Sequence, residues 1–78
     1  MPFYTYIIQS QKNNKFYTGQ TQNISKRIER HNTGKVKSTK SGIPWKLINY
    51  FEFKTRKEAV VKERQIKNRG VKRFLLDL

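Results

Sequence analysis

The chain has 78 residues, with eighteen Lys and Arg against five Asp and Glu, one His, no Cys and a formal net charge of +13. That length suits one domain with a marginal core; the missing thiols exclude disulfides, and the lone His excludes a multi-histidine zinc site. Such charge repels itself, yet four Tyr, five Phe and one Trp argue against a disordered tail, so a folded domain binding a polyanion is expected, nucleic acid before a membrane surface.

No apolar run approaches the roughly 20 residues that span a bilayer, and the start carries no basic leader, so the expected location is cytoplasmic. Phe3 to Gln9 is β-branched and aromatic and predicts a strand. Ser10 to Lys15 is polar, with Asn13-Asn14 suited to the left-handed backbone of a tight turn. Phe16-Tyr17-Thr18 then returns as a second strand that Gly19 ends. With an even loop, even positions of the first strand share a face with odd positions of the second. Tyr4, Tyr6, Tyr17 and Gly19 then lie together.

Asn23 caps a helix from Ile24 to Asn32, and Gly34 follows as a stop. Ile24, Arg27, Ile28 and His31 fall at i, i+3, i+4 and i+7, a single stripe of which half is cationic or titratable. Lys35 to Gly42 is basic and rich in Ser, Thr and Gly, and is expected to be a mobile loop unless a ligand orders it. Pro44 restricts Ile43, and Trp45 to Phe53 forms a third strand. Thr55 and Glu58 make a capping box for a helix running to about Asn68 and stopped near Gly70. Its inward stripe is Ala59, Val60, Glu63 and Ile66. Val71, Phe74, Leu75 and Leu78 recur at helical spacing and should fold back over the core. The expected architecture is α+β, a ββαβα domain over residues 1–78 whose small three-stranded antiparallel sheet is packed by helices.

Arg27, His31 and Glu63 thus occupy positions where sheet-packing helices usually carry apolar residues. Burying an unpaired charge is costly, so each needs a partner or a cleft. Ordinary explanations exist singly: an Arg27–Glu63 ion pair, His31 beside a helix C-terminus, and Tyr4, Tyr6 and Tyr17 as core. As an ordered set, Tyr4-Thr5-Tyr6, Tyr17-Thr18-Gly19, Arg27 and the distal Glu63 resemble the GIY-YIG nuclease family, in its small stand-alone branch. The likeness covers essentially the whole chain.

The resemblance implies phosphodiester cleavage with one divalent ion, Mg²⁺ or Mn²⁺, held by Glu63. It matches Tyr6 and Tyr17 to the two motif tyrosines, Gly19 to the glycine ending the second half-motif, Arg27 to the helix arginine and His31 to a histidine one turn on. Tyr4 and Thr5 stand in place of the Gly and Ile of the name motif. Gln20 stands where some repair-enzyme members carry Lys, and the Asn that follows the glutamate in several branches has no secure match.

In chemical terms Glu63 offers one hard oxygen ligand, and Arg27 can fork onto a phosphate. Tyr6 is favoured as general base with Tyr17 orienting water or phosphate; His31, whose pKa suits neutral pH, is the alternative. Lys26, Arg30, Lys35, Lys37, Lys40 and Lys67 read as phosphate contacts that do not read bases. The expectation is a DNA endonuclease, structure-selective or weakly sequence-specific, or one whose target a protein partner supplies. DNA is favoured over RNA. The competing reading is a non-catalytic basic module with salt-sensitive binding and no cleavage.

Overall fold

The computed structural model describes all 78 residues. Three strands, β1 (Phe3–Ser10), β2 (Phe16–Thr21) and β3 (Trp45–Phe53), form one antiparallel sheet in the order β2-β1-β3. Helix α1 (Ile24–Asn32) follows β2, and helices α2 (Arg56–Arg69) and α3 (Val71–Leu76) close the chain. This is the α+β arrangement the hydrophobic pattern implies.

The central strand explains the layering. Thr5, Tyr6, Ile7 and Ile8 are all fully buried, as a strand must be when both faces are covered. One face carries Tyr6 and Ile8, which pack with Trp45, Tyr17, Ile28 and Leu47 beneath α1. The other carries Thr5, whose hydroxyl donates to the Ala59 carbonyl of α2 at 2.7 Å. On that face Phe74 of α3 meets Phe51 edge-on at 5.8 Å, so the last helix folds back as its spacing predicts.

The register sets Ile8 opposite Tyr17 and Tyr6 opposite Gly19, so Tyr4, Tyr6, Tyr17 and Gly19 do share a face. Gly19 does not end β2, however. The strand continues to Thr21 because Gln20 and Thr21 still pair with Thr5 and Tyr4. The hairpin turns through Asn14, at φ 64°, while the Ser10 hydroxyl oxygen accepts the Lys12 and Asn13 amides.

Both helix starts are as the sequence reads. The Asn23 side chain accepts from the Lys26 amide, and Thr55 and Glu58 form a reciprocal capping box. The segment before β3 departs from expectation. Lys37–Gly42 is a 3₁₀ turn rather than a free loop, because Thr39 is buried and its carbonyl accepts the Trp45 indole N–H at 2.7 Å. No helix is long and apolar enough to cross a membrane.

Candidate active site

The site grows from one ring. Tyr6 points from the central strand toward the edge strand β2 and lies directly over Gly19. A Cβ at position 19 would stand 2.6 Å from the Tyr6 hydroxyl and 2.8 Å from Cζ. Only glycine leaves room for the ring to pass there, so Gly19 is needed for close approach rather than for a turn.

The Tyr6 hydroxyl meets side chains from α1. His31 Nε2 is 2.9 Å from it, and Arg27 Nε donates to it at 3.4 Å. His31 is fully buried, and its Nδ1 lies 2.7 Å from Thr39 Oγ1. One tautomer uses every contact: with the Thr39 hydroxyl donating to the Val36 carbonyl at 3.3 Å, its oxygen accepts from His31 Nδ1–H. Nε2 is then bare and accepts the Tyr6 proton, while the phenol oxygen accepts from Arg27. A single proton-ordered chain runs Arg27, Tyr6, His31, Thr39.

Burial raises the Tyr6 pKa; Tyr17 and the Glu63 carboxylate push it the same way, and only Arg27 opposes. Tyr6 is therefore a phenol, and Arg27 by itself does not convert it to phenolate. Burial, then Arg27 and Arg30, lowers the His31 pKa, so the imidazole is neutral at neutral pH. The sign for stability follows. The folded state holds neutral His31, so its contribution is complete above about pH 6.5, the unfolded value, and is lost as pH falls from there through the depressed folded value. The thermal midpoint should drop on acidification through that window, and His31→Gln should flatten the drop; an equal slope in the variant would refute the assignment.

Thr39 was not legible as a site residue, since a threonine within a basic Ser/Thr run looks like solvated surface. Its role is directly testable. Thr39→Val leaves the His31 Nδ1–H without an acceptor and should cost about 1–3 kcal/mol in chemical denaturation, with Thr39→Ser close to wild type. Equal stability of the valine and serine variants would exclude this role.

Tyr17 presents its ring edge to His31 at 5.1 Å and to Trp45 at 6.4 Å, which fixes the imidazole plane from the side. Glu63 comes from α2, beneath the other face of the sheet. It is half-buried, and its charge acts on the Tyr6 hydroxyl. Arg27 and Glu63 do not pair with each other. Glu63 Oε2 instead takes the Lys67 ammonium at 2.7 Å, one turn along α2. Lys67, expected as a phosphate contact, therefore sits on the carboxylate, because i and i+4 share a helix face.

Could Glu63 hold a divalent ion? The structure brings together no group of three His, Cys, Asp or Glu side chains, so a protein-made cage is excluded. A single carboxylate that is 21% exposed does fit Mg²⁺, which keeps several waters and shares itself with a substrate phosphate. Elsewhere, Lys26, Arg30 and Lys35 surround one shallow depression on α1 with Glu29 and Thr33, and exposed Lys37 and Lys40 stand on the neighbouring 3₁₀ turn. Gln20 accepts from Arg56 Nη1 at 3.3 Å.

Residues 2–73 match the GIY-YIG catalytic domain. This chain belongs to the GIY-YIG family. It is 42% identical over 65 residues to a UPF0213 protein of Staphylococcus haemolyticus, an alignment covering 82% of this chain and 78% of that one. A UPF0213 protein of Clostridium perfringens is 40% identical over 65 residues, covering 82% and 69%. The solution NMR structure of a UPF0213 protein from Bacillus halodurans superposes with a TM-score of 0.59 at 30% identity, covering 99% of this chain and 84% of that one. The likeness read from Tyr6, Tyr17, Arg27 and Glu63 therefore extends to the whole chain. Tyr6 and Tyr17 lie on one face of the sheet, and Arg27 touches the first of them.

Proposed function

We propose that this chain is a divalent-metal-dependent endonuclease that hydrolyses phosphodiester bonds in DNA, with Tyr6, Tyr17, Arg27, His31 and Glu63 as its working residues. One observation supports this above the others: a buried, proton-ordered Tyr6–His31 pair with a cation on one side and a carboxylate's field on the other. A core built only for stability would fill the same space with apolar side chains at lower cost.

The Tyr6 phenol oxygen receives a proton from the attacking water while its own proton passes to His31 Nε2. This relay lets a high-pKa phenol serve as the base, because no free phenolate accumulates. Thr39 holds His31 in the tautomer that can accept. Arg27, permanently charged, is placed to turn its terminal nitrogens to the scissile phosphate while Nε stays on Tyr6. Tyr17 keeps the imidazole in plane and lends its hydroxyl to water or phosphate. Glu63 is the carboxylate that would hold a divalent ion, and Mg²⁺ or Mn²⁺ bound there would supply Lewis-acid charge for the phosphate oxygens and the leaving group. Lys26, Arg30, Lys35, Lys37 and Lys40 hold the DNA backbone without reading bases.

Incubating supercoiled plasmid and branched DNA with the protein tests this, with Mg²⁺ or Mn²⁺ against a chelator. Metal-dependent nicking is expected. The existing Lys67–Glu63 contact favours one competitor, a binding module in which the carboxylate stays neutralised; salt-sensitive binding with no cleavage under either metal would establish it.

A further inference from the structure

Two tyrosines on the α1 face have no part in the proton chain. Tyr50 lies opposite Tyr6 on β3, and Tyr4 lies two residues along β1. Their rings meet edge-on at 6.0 Å. Together with Gln22, Asn23, Ile24 and Ser25 at the start of α1 they line a cleft of about 430 Å³. Tyr50 is 51% exposed, an unusual placement for a large ring on the covered face of a sheet. Edge strand β3 leaves its ring open on the cleft side.

We infer that this cleft receives one unstacked nucleobase of a single-stranded DNA segment, from a nucleotide flanking the scissile phosphate. The inference rests on the nuclease reading for its placement. Tyr4 and Tyr6 are two residues apart on one strand, so the cleft begins about 7 Å from the ring that bears the reacting hydroxyl. The occupant's chemistry follows from what surrounds it. A chain of charge +13 draws a polyanion, and an aromatic cleft offers that polyanion's backbone nothing but offers its bases a stacking surface. Glu52, opposite Tyr4 on the same face, repels a phosphate from the cleft itself. The cations gather beside it, at Lys26 and Arg30 on α1 and Lys35 just after that helix. A base in an intact duplex is stacked on both sides and paired at its edge, so only an unpaired or extruded base can enter.

The cleft would therefore make the domain favour single-stranded segments and branch points over continuous duplex. The Gln22 side chain, exposed at the rim, is the group best placed to meet the edge of the inserted base.

The test uses the full chain in chelator, so that no cleavage occurs, and measures binding of a short single-stranded DNA carrying 2-aminopurine and of the matching duplex. Tyr50→Ala should weaken single-strand binding about tenfold and abolish the fluorescence change, leave duplex binding unaltered, and be rescued by Tyr50→Trp. Because Tyr50 is half exposed, the variant should stay folded, and its thermal midpoint checks that. Equal losses on both DNAs, or no loss on either, would overturn the inference. Selective loss in a protein that cuts no DNA with either metal would leave the cleft standing and remove the nuclease reading. Plasmid cleavage with an unchanged single-strand preference in Tyr50→Ala would do the reverse.

Discussion

Glu63→Gln should lower metal-dependent cleavage by roughly 10³-fold or more, while leaving the fold and DNA affinity nearly intact. The size follows from the donor set. No group of three or more carboxylate, cysteine or histidine side chains gathers to hold a cation, so removing the Glu63 charge removes the main protein contribution to that ion. The amide keeps the volume, so α2 should pack as before. Loss of the Lys67 contact should change stability by no more than about 0.5 kcal/mol, since an i,i+4 pair with a half-exposed ammonium is weak. Rates with Mg²⁺, Mn²⁺ and chelator, alongside binding to the same DNA, separate the two effects. Mn²⁺ gives a second readout, broadening NMR signals near residue 63 in the wild type but not in the variant. Undiminished cleavage by Glu63→Gln would sink the proposed chemistry outright.

Gly19→Ala should be nearly as damaging, through geometry instead of charge. The added methyl would fall 2.6 Å from the Tyr6 hydroxyl and 2.8 Å from Cζ, well inside contact distance. A flexible surface side chain could swing aside, but this ring is fully buried and tied at its far end to His31. The strand or the ring must therefore move, at an expected cost of about 1–3 kcal/mol. Displacing the hydroxyl by even an ångström breaks its alignment with His31 and Arg27, so cleavage should fall about 10²-fold. Urea denaturation and initial rates measure the two losses separately. Tyr6→Phe in the same chain removes the closest clashing atom, so the double variant should be less destabilised than the sum of the singles. A Gly19→Ala protein with wild-type stability and rate would mean that the ring does not need this passage.

Both arguments show which parts of the site lie open in the linear chain. The caps at Asn23 and Thr55 are local chemistry, with donor and acceptor within three residues, and both form as read. The shared face of Tyr6 and Tyr17 follows from strand parity, which a hairpin transmits without outside help. Arg27, His31 and Glu63 stand out because helical periodicity predicts apolar residues where charges occur. Gly19 was noticed but given the wrong job. A glycine after a short strand looks like a terminator, and the reason for it is a ring from another strand.

The misreadings share one cause. Lys35 to Gly42 has the composition of a free loop, yet Thr39 is drawn inside by His31 and Trp45, partners at separations of eight and six residues that no local pattern links. The Lys67–Glu63 contact likewise exists only once α2 is wound. The Arg27–Glu63 ion pair, one of the ordinary explanations, does not form, because the two helices lie on opposite faces of the sheet.

What the order of residues determined alone is the three strands, the helices with their caps, and the strong positive charge, because propensity, capping and periodicity act within a few residues of chain. Only the folded packing decided that Tyr6 crosses Gly19, that its hydroxyl meets His31 Nε2, and that Thr39 meets the other ring nitrogen. Those relations depend on rings and hydroxyls meeting across sheet and helix at hydrogen-bond distance, a matter of three-dimensional fit to fractions of an ångström.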